Sequence, residues 1–153
     1  MVFFTPAWRP ASFYDRVKEN AALGLHTLIL LDIKVKEPNL DALARGRVRY
    51  DPPRYMSVAQ CAQQMLEVEA ERGEGVCGPE ALAVGAARVG AGDQRIVVGT
   101  LEELAGQDLG RPLHSVVLVG KRMHEMERDM LREWAVDGES FDRVWERDYR
   151  EKR

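Results

Sequence analysis

The sequence predicts an α/β fold in which a mixed sheet is flanked by helices, and three observations carry that prediction. Short aliphatic runs bounded by turn residues recur along the chain, at His26–Ile33, Ala81–Val89, Arg95–Val98 and Ser115–Val119. Between them lie stretches with apolar residues at helical spacing, some opened by a reciprocal capping pair such as Ser57 with Gln60 or Thr100 with Glu103. The third observation is size. A chain of 153 residues, 45% hydrophobic and 31% charged, suits one globular domain, or one domain and a short tail.

Taken in order, Met1-Val2-Phe3-Phe4 is apolar and β-prone, and reads as the end of a strand or connector. Ser12 is placed to cap a first helix, with Phe13, Val17 and Ala21 on one stripe and Gly24 at its end. In His26–Ile33, Leu28, Ile29, Leu30, Leu31 and Ile33 are large aliphatics, which predicts a buried strand. Asn39 opens a short helix that Gly46 closes. Asp51-Pro52-Pro53 is irregular, because neither proline can donate to a ladder or continue a helix. The Ser57–Gln60 box, with Met56 placed to staple against Cys61, starts a helix running to about Arg72. That helix buries Val58, Cys61, Met65 and Val68, and Gly73, Gly75, Gly78 and Pro79 break it.

Ala81–Val89 is a strand rich in small residues, Gly90, Gly92 and Asp93 supply a turn, and Arg95–Val98 returns as a near-hairpin partner. Thr100 and Glu103 open a short helix that stops at Gly106. Ser115–Val119 is a third clear strand, followed by a helix from about Met123 to Val136. Ser140 is placed to cap a last helix with Phe141, Val144 and Trp145 on one side. Parallel and antiparallel pairs are both expected.

Composition excludes several classes. A net charge of −3 offers no clustered basic excess for nucleic acid. Cys61 and Cys77 stand alone, without the paired ligands of a zinc site, and read as free cytosolic thiols; no metal site is expected. The longest apolar run, around Leu28–Leu31, falls far short of the roughly 18 residues of a membrane span, so an intracellular, cytoplasmic protein is expected.

Individual residues leave the chemistry undecided. The spacing of Gly85, Gly90 and Gly92 matches neither a dinucleotide fingerprint nor a P-loop; it suits a ligand approaching the backbone or a tightly packed strand and turn. His114, at a strand start, is a ligand contact, an acid/base group or an edge residue. His26 reads as structural and His124 as a solvated helix residue. Glu67, Glu69, Glu71 and Glu74 read as an exposed helix face. No serine–histidine–acid triad can be assembled.

Four ordered blocks resemble the diphthine synthase family. They are Gly24–Leu28 with Leu31–Glu37 (GLHTL, LDIKVKE), Tyr50–Gln60 (YDPPRYMSVAQ), Arg88–Gln94 (RVGAGDQ) and Asp108–Ser115 (DLGRPLHS). The likeness runs from about Trp8 to Leu131. Ala86 and Glu125 depart from it, standing where the family often has a leucine and a proline.

The resemblance implies the C-terminal domain of the tetrapyrrole methylase fold, in which two α/β domains hold S-adenosylmethionine between them. It divides the chain into a connector remnant at 1–10, a methyltransferase domain at 11–136 and a helical tail at 137–153. Cofactor contacts are implied at Leu31, Val89 and His114, the last through backbone or ring. The implied activity is methylation of the modified histidine of translation elongation factor 2 in diphthamide biosynthesis, by a homodimer with no nucleic-acid or membrane partner. This half alone is expected to be inactive. A direct displacement at a sulfonium methyl needs no enzyme nucleophile, in keeping with the missing triad. Arg45, Arg47, Arg49 and Arg54 form a docking surface for the acceptor region, or a solvated loop. A different class also fits: a truncated, non-catalytic chain that only dimerises or docks.

Overall fold

The computed structural model describes residues 1–150. Strands β1 (Thr27–Leu30), β4 (Leu82–Ala87), β5 (Arg95–Thr100) and β6 (His114–Leu118) form one sheet in the order β1-β6-β4-β5. A two-stranded ladder, β2 (Ile33–Lys34) with β3 (Arg54–Tyr55), stands apart from it. Among the described residues the ladders are antiparallel, and the expected parallel pairing is confined to a single bridge between Val98 and Ala135. The helices are α1 (Ser12–Ala22), α2 (Leu40–Ala44), α3 (Val58–Arg72), α4 (Leu101–Leu104), α5 (Glu125–Glu133) and α6 (Gly138–Asp148).

Period-two alternation gives the sheet two faces. Ile29, Val116, Leu118, Ala83 and Ala87 pack with Tyr14 and Val17 of α1, the stripe Val58, Cys61, Met65 and Val68 of α3, and Leu101 and Leu104 of α4. Gly85 is required here: a Cβ on it would lie 2.8 Å from a Val58 methyl. The small residues of β4 therefore serve strand-to-helix packing along most of its length. On the opposite face a smaller cluster joins Leu82, Val98 and Val119 to Phe141, Val144 and Tyr149. Helix α6 is thus packed onto the sheet; positions 151–153 of the expected tail lie outside the described residues.

Several local expectations are met by contacts within four residues. Ser57 with Gln60 and Thr100 with Glu103 form reciprocal capping boxes, Asn39 caps α2, and Gly73 ends α3 in the left-handed region. Others need correction. The segment His26–Ile33 is not one buried strand: pairing stops at Leu30, Ile33 belongs to the separate ladder, and Leu28 and Leu30 are 60% and 72% exposed. Their alternation points them to the less covered face. Ser12 does not cap α1, whose N-cap is Ala11 without a side-chain bond. Ser140 lies buried inside α6; Asp137 caps that helix by accepting from the Glu139 and Ser140 N–H groups. The helix expected from Met123 to Val136 is shorter, and His124, solvated as expected, is its N-cap and not a residue within it.

Glu69 leaves the acidic face to which the sequence reading assigned it. It is 8% exposed and accepts from the Gly75, Val76 and Cys77 N–H groups at 2.6, 2.9 and 2.7 Å, and from the Tyr14 hydroxyl at 2.9 Å. Burial alone would raise its pKa, but these donors outweigh it and hold the carboxyl below the usual range. The apolar start of the chain is not a strand. Phe3 N–H donates to Asp32 Oδ2 at 3.0 Å, while Gln64 accepts from Phe4 N–H at 2.9 Å and donates to the Val2 carbonyl at 2.8 Å.

Candidate site at the end of the sheet

Strand register decides which residues meet. Leu30 lies opposite Ser115, Ser115 opposite Ala86, and His114 opposite Ala87. Leu31 follows directly on Leu30, and Val89 stands two residues beyond Ala87. Leu31, Val89 and His114 therefore gather at one end of the sheet. Leu31 is 9% exposed, whereas Val89 is 68% exposed on the β4–β5 turn. That turn requires glycine at Gly90, where φ is +84°, and the site offers open space around both Gly90 and Gly92.

The turn is held by a residue that sequence reasoning did not single out. Arg88 adopts a φ of 51°, and its guanidinium donates to the carbonyls of Asp93, Leu109 and Arg111 while pairing with the Asp93 carboxylate at 2.9 Å. Its own N–H donates to the Leu113 carbonyl at 3.0 Å. One half-buried cation thus ties the β4–β5 turn to the 108–113 loop. Arg111 closes the circuit by reaching Asp93 at 2.8 Å, and this bond, with charge attraction from Arg111 and Arg88, lowers the Asp93 pKa. The available signal was the placement of Arg88 two positions before Gly90 and five before Asp93.

His114 is more constrained than its strand-start position suggested. Its Nδ1 accepts from the Val58 N–H at 3.3 Å, so Nε2 carries the proton and faces the Gly110 and Arg111 carbonyls, each at 3.0 Å. Both ring nitrogens are occupied within the chain. A ligand here would meet the main chain or the edge of the imidazole, not a free acid/base group. His26 is structural, accepting from Gly120 N–H at 2.9 Å.

Other chemistry is sparse. Cys61 and Cys77 are buried and unpaired, and burial, joined at Cys77 by the Glu69 charge, pushes both thiols up to about 12. They stay protonated at neutral pH and are poor nucleophiles. Among the described residues no group of three or more His, Cys, Asp or Glu is arranged to hold a metal ion. No described helix is long and apolar enough to cross a membrane. The four-arginine cluster is divided: Arg54 pairs with Glu37 at 3.2 Å and stacks on Phe3, whereas Arg45, Arg47 and Arg49 form no ion pair among the described residues.

No protein-family model matches the chain. Known proteins are nevertheless similar over nearly its whole length. The diphthine methyl ester synthase of Emericella nidulans is 64% identical over 146 residues, 95% of this chain and 51% of that protein. The Saccharomyces cerevisiae enzyme of the same name is 52% identical over 141 residues, 92% of this chain and 47% of that protein. A diphthine synthase structure from Entamoeba histolytica superposes with a TM-score of 0.78 at 38% identity, covering 90% of this chain and 49% of that one. The chain thus spans about half the length of the relatives it matches. These relatives are named as synthases, which gives no support to the binding-only alternative.

Proposed function

Because this chain belongs to the diphthine synthase family, we propose that it supplies one wall of the S-adenosylmethionine cleft of a diphthamide-pathway methyltransferase. The substrate in this reading is the modified histidine of translation elongation factor 2. The observation that carries the reading is the convergence of Leu31, Val89 and His114 at one end of the sheet, with Val89 held out on a fastened turn. Exposed apolar surface on a rigid turn, with open space at Gly90 and Gly92, suits a flat apolar group such as a purine.

When bound, S-adenosylmethionine supplies an electrophilic methyl on a sulfonium. The relatives' name specifies a methyl ester, so the group that would accept this methyl is a carboxylate oxygen of the substrate. Transfer from a sulfonium to a carboxylate would neutralise both charges, and such a loss of charge would be favoured where water is excluded. Leu31 and Val89 provide that apolar boundary, and the Arg88 network keeps the turn in place. No general base on this chain is required, which agrees with an imidazole already committed to structural bonds at His114. Homodimerisation and a cytoplasmic location belong to the same proposal.

The test is an NMR titration of S-adenosylmethionine into this chain. Shifts should concentrate at the amides of residues 31, 88–92 and 113–115 and saturate only at millimolar ligand, since half a cleft offers half the contacts. Val89→Asp should abolish them. Shifts centred elsewhere would overturn the assignment.

A further inference from the structure

The segment from Ile33 to Tyr55 leaves the body of the protein on the β2–β3 ladder and carries α2 at its tip. It holds six of the chain's 22 basic residues and three of its 25 acidic ones, so this arm bears +3 in a chain whose net charge is −3. Arg45, Arg47 and Arg49 are all exposed and, with Asn39, Tyr50 and others, line a cleft of about 330 Å³. Exposed apolar side chains are interleaved with these residues along the same arm: Leu40 at 76%, Leu43 at 51%, Val48 at 74% and Tyr50 at 61%.

The arm is ordered by its own bonds. Asn39 accepts from the Ala42 N–H at 2.8 Å, donates from its amide to Asp51 Oδ1 at 2.7 Å, and donates its N–H to the Arg49 carbonyl at 2.8 Å. Asp51 N–H donates to the Glu37 carbonyl at 2.8 Å, and Arg47 N–H to the Ala42 carbonyl at 2.8 Å. The three free guanidiniums are therefore presented on a preformed support, which lowers the ordering cost of a contact.

We propose that this arm is a docking surface for an acidic face of the protein that carries the methyl acceptor. The proposal rests on the methyltransferase reading above and deepens it. Arginine and tyrosine amid aliphatic side chains compose a protein-binding patch. A nucleic acid would leave Leu40, Leu43 and Val48 unburied, would meet Asp41 within the same cleft, and would be repelled by the acidic remainder of the chain. Arg54 is not part of the surface, since Glu37 and Phe3 already engage it.

Binding of translation elongation factor 2 to this chain, followed by biolayer interferometry at low and at physiological salt, tests the surface. Wild type should bind with an affinity that falls as salt rises. The triple charge reversal Arg45→Glu, Arg47→Glu, Arg49→Glu should weaken low-salt binding at least about tenfold, chiefly in the association rate. The corresponding lysine variants should restore most of it, and Arg54→Glu should change little. Unchanged binding by the triple reversal overturns the proposal, as does transfer of the same arginine dependence to a 20-nucleotide poly-U RNA. The S-adenosylmethionine shifts of wild type and triple variant distinguish the two readings. If the shifts persist while arm-dependent docking fails, docking alone falls; if they are absent from wild type, the cleft reading falls.

Discussion

The two faces of the four-stranded sheet follow the same alternation yet meet different fates. On one face Ile29, Val116, Ala83 and Ala87 are sealed by α1, α3 and α4, and nearly every contributor is buried. On the other, α6 covers Leu82 and Val98, but β1 keeps Leu28 and Leu30 in solvent, beside an apolar groove lined by Val117, Met126 and Met130. An aliphatic run therefore does not certify burial. The strand supplies apolar side chains to both faces, and only the count of covering helices decides which are withdrawn from water.

The largest test of that contrast is Phe141→Ala. Phe141 is 1% exposed and anchors α6 on the second face. Its loss should lower stability by about 3–5 kcal/mol, read as a shifted urea midpoint. A change under about 1 kcal/mol would mean that the second face is effectively open along its whole width.

Glu69→Gln probes the sealed side. An amide cannot satisfy the Gly75, Val76 and Cys77 donors as a carboxylate does, so a loss of about 1–3 kcal/mol is expected at neutral pH. Because the folded-state pKa is depressed, this stabilisation is complete above the ordinary carboxylate range and is lost as pH falls through the folded value. The gap between wild type and variant should therefore close on acidification. A gap that widens toward acid would refute the clamp.

Leu30→Ser is the smallest. At 72% exposure the side chain adds little to the folded chain, and stability should change by less than about 0.5 kcal/mol. A loss comparable to that of a buried leucine would show that something covers β1 in solution.

The candidate site was legible unevenly. The motifs around Leu31, Val89 and His114 could be quoted from the sequence, but their meeting place depends on strand register. The engagement of both His114 nitrogens depends on Val58 and on the Gly110 and Arg111 carbonyls. The nearness of Arg88 to Asp93 was visible, but its tie to the 108–113 loop was not, because its carbonyl partners at Leu109 and Arg111 lie more than 20 positions away. Glu69 looked like its exposed neighbours for the same reason: Tyr14 approaches from a separate helix, 55 residues distant.

By itself the sequence determined what neighbours within a few residues can enforce. The Ser57–Gln60 and Thr100–Glu103 boxes, the left-handed stops at Gly24, Gly46 and Gly73, and the β4–β5 hairpin all close over short loops, where chain geometry leaves few alternatives. The tertiary structure alone decided that the β1 leucines face outward, that α6 joins the core, and that Arg88 fastens the turn beneath Val89. Those outcomes depend on surfaces brought together from distant parts of the chain, and local propensity does not record which surface arrives.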